Sequence, residues 1–379
     1  MQEKPTASNV LTDREKAILA HLSLGLSDQE IADALFLSSN TVRWYNRQIY
    51  SKLGVGSRTQ AIAQARSLGL LEEESPAPPT VSADQIPPSD APDERIRRGQ
   101  RVHFTTSADG TRIAYAIAGK GPPLLKVATF MCHLEYDWES PIWRHWLEEF
   151  TREHTLIRYD ERGNGLSDWD VEDVSFEGWV RDLEAVVDAA GLQRFPLFAN
   201  SQGGTVAVTY TVRHPERVSR LILYGAYARG WLHRDLDETQ RTEEQLLIDL
   251  MRIGWGRENP AFRQVFATQL RPDATTEELR AFDELMRIST SAENAARLER
   301  EMHRTDVRTL APLITVPTLV IHPRHDAAVP FEEGRLLASL IPNAQFVTLE
   351  SNNHLLTESE PAWTKFVSIL RQFLSEAEG

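Results

Sequence analysis

One cysteine, Cys132, in 379 residues leaves no internal disulfide to staple the chain, and such usage fits a reducing cytoplasm. Long apolar runs are missing as well. No uncharged stretch approaches the roughly 20 residues that cross a bilayer. The opening MQEKPTASNV has no apolar core of signal-peptide length. A cytoplasmic protein with no membrane partner is therefore expected. Positive charge is scarce too: 41 Lys and Arg against 55 Asp and Glu give a net charge of −14, a balance that repels nucleic acid. The scarcity is uneven, however. Between Ser39 and Leu70 stand Arg43, Arg47, Lys52, Arg58 and Arg66 with no acidic residue among them. A small basic face on a large acidic body is the implied arrangement.

What is present suits folded domains. The chain is 41% hydrophobic and 25% charged, and its length exceeds one ordinary core, so two or three domains are expected. Residues 72–100, EEESPAPPTVSADQIPPSDAPDERIRRGQ, are rich in proline and acids and poor in large apolar side chains. Such a segment cannot bury enough surface to order itself and reads as a flexible linker. Residues 8–71 read as an all-α domain of four short helices. TDRE from Thr12, SDQE from Ser27 and SRTQ from Ser57 are capping boxes, and each helix carries one apolar stripe. Residues 101–379 alternate strand and helix. LLKVA, HTLIRY, FPLFA, VSRLILYG, PTLVIH and AQFVTLE are apolar runs of strand length with helical patterns between several of them. The alternation predicts a mostly parallel sheet with helices on both faces. Residues 230–305, helix-rich, charged and free of strand patterns, read as an inserted lid.

The first domain resembles the LuxR/GerE-type helix-turn-helix regulators from LTDREKAILAHL through AQARSLGLL. The resemblance implies double-stranded DNA as partner, with a recognition helix from about Asn40 to Leu53 entering the major groove. Arg43, Trp44 and Arg47 would then face base edges, while Thr41, Gln48 and Lys52 would meet phosphates. It also implies a homodimer pairing through the last helix, Ser57 to Leu70, on two half-sites.

The second domain resembles the α/β-hydrolase fold. Ala199-Asn200-Ser201-Gln202-Gly203, after a strand and before a helix, is a variant of the nucleophile elbow. Asp326 follows the strand PTLVIH and His354 follows AQFVTLE, which is the order acid then histidine that this fold uses. The implied catalytic set is Ser201 as nucleophile, His354 as base and Asp326 as orienting acid. YDERGNGLSDW, with Asp160, Arg162, Gly163 and Gly165, resembles the family's structural turn and is given no catalytic role. The backbone N–H groups of Phe130 and Gln202 would form the oxyanion hole, although Ala128-Thr129-Phe130 departs from the family's His-Gly. FMCHLEYDWESPIW could line a pocket through His133, Glu135, Tyr136 and Trp138, and Trp231 could do so from the lid. Cys132 is read as packing. Neither metal nor cofactor is expected.

Three functions fit these residues. One is a transcriptional regulator whose hydrolase-like domain binds, and slowly cleaves, a small carbonyl ligand such as an ester or lactone. Another is a working serine esterase or lactonase with an accessory DNA module. The third is a regulator with an inert hydrolase-fold interaction domain. Fold alone does not choose among them.

Overall fold

The computed structural model of the chain describes residues 11, 13–35, 39–55, 57–71, 99–255, 257, 259 and 261–376. Two compact units divide it, Met1–Asp90 and Ala91–Gly379. The expected linker lies outside the described residues except for Gly99 and Gln100, as does the capping residue Thr12. No helix among the described residues is long and apolar enough to cross a membrane.

In the first unit four helices form: α1 (Asp13–Ser23), α2 (Asp28–Leu35), α3 (Ser39–Leu53) and α4 (Arg58–Ser67). Ser27 and Glu30 exchange the reciprocal bonds of a capping box, at 2.7 and 3.3 Å. Helices this short persist only by burying a shared face. Ile18, Leu19 and Leu22 of α1 meet Ile31 of α2, Val42, Ile49 and Leu53 of α3, and Ala61 and Ala65 of α4 in one buried cluster. The Arg58 guanidinium donates to the Leu22 carbonyl at 2.8 Å and so ties α4 to the end of α1.

In the second unit eight strands make one sheet: β1 (Arg101–Thr106), β2 (Arg112–Gly119), β3 (Pro123–Lys126), β4 (Thr155–Tyr159), β5 (Phe195–Asn200), β6 (Val218–Tyr224), β7 (Thr318–Pro323) and β8 (Gln345–Leu349). Their order is β1-β2-β4-β3-β5-β6-β7-β8, with β2 antiparallel to both neighbours and the remainder parallel. Alternate residues of the central strands enter opposite layers, as the two-residue strand period requires. Leu221 and Leu223 of β6 join one core with α6 (Phe176–Ala189) and α7 (Gly203–Arg213). Ile222 and Tyr224 join the other, with α5 (Arg144–Glu153) and α13 (Pro361–Ser375). At the centre of that second layer Trp146, fully buried, stands edge-on to Tyr224 and Trp363 at 5.1 and 5.0 Å.

Between β6 and β7 the chain leaves the sheet for four helices, α8 (Glu238–Gly254), α9 (Ala261–Leu270), α10 (Thr276–Ser289) and α11 (Ala292–Arg304). The excursion is sewn shut at its base. Arg229 and Asp306 form an antiparallel bridge, and the Val307 N–H donates to the Ala228 carbonyl at 2.8 Å. The helix α12 (Phe331–Leu340) then connects β7 to β8.

Candidate functional site

β5 ends at Asn200, and the next residue, Ser201, holds φ +52° before α7 departs. Left-handed backbone costs a non-glycine residue about 1–2 kcal/mol and persists only where surroundings impose it. Here the head of α7 is pressed against the chain that follows β3 and β6. A Cβ on Gly203 would lie 2.7 Å from the Ala128 carbonyl oxygen, and one on Gly204 would lie 2.5 Å from Ala226 Cβ. Ser201 emerges on the wall of a cavity of about 450 Å³.

His354 reaches the same wall from the loop after β8, and Asp326 stands behind it in the loop after β7. The imidazole Nδ1 and Asp326 Oδ2 are 2.6 Å apart. Asp326 Oδ1 accepts the N–H groups of Ala328 and Val329, each at 2.9 Å. Three donors thus converge on the Asp326 carboxylate and fix its orientation. With the Nδ1–H donated to Asp326 Oδ2 in a hydrogen bond, Nε2 presents a lone pair, and that atom is buried without a hydrogen-bond partner. No hydrogen bond joins Ser201 Oγ to it; such contacts are often long before a ligand arrives.

Two neighbours of this pair escaped sequence reasoning. Gly225, with φ +54°, lies against the imidazole, and a Cβ there would come within 2.8 Å of His354 Cε1. His322, fully buried on β7, donates from Nε2 to the Val329 carbonyl at 3.0 Å and lies 3.7 Å from Asp326 Oδ2. Burial pulls its pKa below the usual histidine range. The HPRHD spacing was the available signal for it, and YGA after β6 was the signal for Gly225.

The oxyanion donors differ from expectation. The Phe130 N–H is already given to the Gln202 side-chain oxygen Oε1, at 3.2 Å. The Thr129 hydroxyl donates to the same oxygen at 2.9 Å, and Gln202 Nε2 donates to Glu161 Oε1 at 3.0 Å. Of the two expected donors, the Gln202 N–H, at the head of α7, has no acceptor among the described residues. Glu161 is buried, which pushes its carboxyl up to about 8.

The cavity is mostly apolar, with Phe130, Trp143, Trp231, Trp255, Phe266 and Phe282 on its walls and Arg234, Glu299 and His303 among its polar groups. Trp231 therefore stands on that wall. The other four expected wall residues do not: His133, Tyr136 and Trp138 give their polar atoms to protein partners in their own loop, in α10 and ahead of β1. His133 Nδ1 accepts the N–H groups of Glu135 and Tyr136, both at 3.3 Å, and burial holds the ring neutral with its pKa pulled down to about 4. The Tyr136 hydroxyl donates to the Ala281 carbonyl, and Trp138 Nε1 donates to Gln100 at 2.6 Å. Glu135 and these three are absent from the cavity wall. Cys132 is buried, its thiol pushed up by burial, and its sulfur accepts the Glu161 N–H at 3.3 Å.

In the first unit α3 buries Val42, Ile49 and Leu53 and exposes Arg43 and Arg47. Gln48 is half-buried, and the side chains of Thr41 and Trp44 lie outside the described residues. Lys52 is exposed, and its ammonium sits 2.8 Å from Glu15 Oε2 on α1. Asn46, which sequence reasoning passed over, donates to Asp28 at 2.8 Å and pins α3 to α2.

Comparison with known proteins agrees with both units. Residues 9–65 match the model for bacterial regulatory proteins of the luxR family, and residues 135–361 match that for the alpha/beta hydrolase fold. Pyrrolizixenacetamide deacetylase from Xenorhabdus hominickii is 27% identical over 69% of this chain and 94% of its own. The 2-hydroxymuconate semialdehyde hydrolase of Pseudomonas putida is 29% identical over 53% of this chain and 69% of its own. An esterase from Exiguobacterium antarcticum, 23% identical, superposes over 73% of this chain and all of its own with a TM-score of 0.62, a likeness of fold. The chain belongs to the alpha/beta hydrolase fold family and carries, ahead of that domain, one of the luxR family of bacterial regulatory proteins.

Proposed function

We propose that the protein is a DNA-binding transcriptional regulator whose hydrolase domain takes up a small carbonyl compound, an ester or lactone, at Ser201. One observation carries the chemical half: His354 is locked by Asp326 with Nε2 turned free, on the wall that also holds Ser201. In this reading Ser201 Oγ attacks the ligand carbonyl, His354 takes its proton, and Asp326 holds the tautomer and stabilises the imidazolium. The apolar cavity favours an acyl or aromatic ligand body, and its volume lies within the range of small-molecule sites. The named activities of the relatives, a deacetylase, a semialdehyde hydrolase and an esterase, support a carbonyl ligand. A fluorophosphonate probe should label the wild type, and Ser201→Ala should remove the label. An unlabelled wild type would refute the nucleophile.

The regulatory half rests on α3 and its exposed Arg43 and Arg47. A guanidinium can fork onto guanine O6 and N7, and Arg47→Ala should weaken binding to the recognised operator by about 1–3 kcal/mol while relaxing choice at one base. Unchanged affinity in a mobility-shift titration would reject the groove assignment. A cytoplasmic homodimer pairing through α4 on two half-sites completes the reading. Ligand and DNA must then change each other's affinity by the same factor. A Ser201→Ala protein that still switches would show that cleavage is dispensable to signalling.

A further inference from the structure

The bonds around Gln202 bear on how fast Ser201 can work. A backbone N–H only donates, so the amide atom facing Phe130 must be oxygen and the nitrogen must face Glu161. That orientation is fixed from three sides. Phe130 N–H and the Thr129 hydroxyl both point at Oε1, at 3.2 and 2.9 Å, while Nε2 is held by Glu161 Oε1 at 3.0 Å. Glu161 is itself anchored: its N–H donates to Cys132 Sγ, and its Oε2 accepts from Asn164 at 3.4 Å. Gln202, Glu161 and Thr129 are all buried, so solvent does not compete for these bonds. Thr129 and Phe130 lie in the stretch after β3 where the sequence departs from the family's His-Gly, so the departure and the occupied donor coincide.

We infer that the Gln202 side chain is a plug in the oxyanion hole: its carbonyl oxygen occupies the Phe130 N–H, with Thr129 and Glu161 holding it there. Acyl transfer at Ser201 then begins with one open donor, the Gln202 N–H, until a ligand oxygen displaces Oε1. The inference rests on Ser201 being the nucleophile proposed above. In the step concerned the Oγ–C bond forms as the Oγ proton passes to His354 Nε2. The carbonyl electron pair moves onto oxygen, and its return expels the leaving group. Loss of one preorganised donor slows such steps by about 10²–10³-fold, so the plug makes a slow hydrolase and a lasting binder of carbonyl compounds. Gln202 acts here through the Phe130 N–H as a positioning residue.

The test is the pre-steady-state release of p-nitrophenolate from p-nitrophenyl acetate by the full chain. Gln202→Met removes the plugging oxygen at similar volume, and Thr129→Val removes one bond that holds it. Gln202→Met should raise the acylation rate constant by on the order of 10²-fold with ester affinity little changed. Thr129→Val should raise it by less, and Ser201→Ala should show no burst. A rise in rate constant without a change in affinity is a readout that mere packing would not produce. An equal or lower rate in a folded Gln202→Met protein overturns the plug and leaves Ser201 standing. No burst from any variant overturns both. Should Gln202→Met not fold, Thr129→Val decides: a faster burst supports the plug and an unchanged one rejects it.

Discussion

Asp326→Asn should leave the fold intact and lower ester turnover by about 10⁴-fold, the cost of the same tautomer inversion in the serine proteases. The direction follows from the bonds already made. Oδ1 accepts two backbone N–H groups, from Ala328 and Val329, and an amide nitrogen cannot take that place. The new NH₂ must therefore face His354 Nδ1, where Oδ2 now lies at 2.6 Å. Nδ1 is then obliged to accept, so the imidazole proton moves to Nε2. A ring protonated at Nε2 cannot take the Ser201 proton. Steady-state hydrolysis of a p-nitrophenyl ester, with thermal melting as a control, measures this. A variant that keeps a tenth of the wild-type rate would mean that the His354–Asp326 pair is not a catalytic couple.

The second large effect concerns stability. Arg162, fully buried, places every one of its N–H groups on an acceptor. Nε and Nη2 fork onto Asp182 at 2.8 and 2.6 Å, Nη1 reaches Asp109 and the Asp173 carbonyl, both at 2.7 Å, and Nη2 also meets Ser107 at 3.3 Å. Burial by itself would raise the Asp109 carboxyl, but the hydrogen bonds from Arg162 and Thr111 and the guanidinium charge together outweigh it and hold the group well below the carboxylate range. A Cβ on Gly178 would lie 2.7 Å from Arg162 Nη1, so α6 is shaped around the guanidinium. Arg162→Ala leaves Asp182 buried and uncompensated, which typically costs about 3–5 kcal/mol. In a domain of this size the melting temperature should fall by on the order of 10 °C. Tryptophan fluorescence reports it well, since every tryptophan except Trp44 lies in the hydrolase unit. A shift under about 2 °C would mean that the network contributes little beyond its own desolvation cost.

Central strands are easy to read in sequence because they are buried on both faces and so become continuous apolar runs, as in LILY of β6 and LVI of β7. β1 and β2 were not legible. RVHFTT leaves most of its side chains exposed, and RIAYAIAG fills its buried positions largely with alanine, so neither shows a strong period. Ser201, Asp326 and His354 were readable because each follows a strand end, a local feature. Partners far apart in the chain were not. Lys52 meets Glu15 across 37 residues and Phe130 meets Gln202 across 72, and no pattern at either end announces the other. The loop after β3 misled for a related reason. An aromatic and polar stretch has the same composition whether it faces a ligand or, like His133, its own backbone.

The neck formed by Arg229 and Asp306 has a wider consequence. β6 and β7 are immediate neighbours, so the polypeptide departs from and returns to adjacent rungs. Segments whose ends lie together can be exchanged with little disturbance to their host. Residues of α8 to α11 line part of the cavity, so under the proposed function a segment whose two ends lie together would help set ligand preference, while Ser201 and His354 stay on the sheet side.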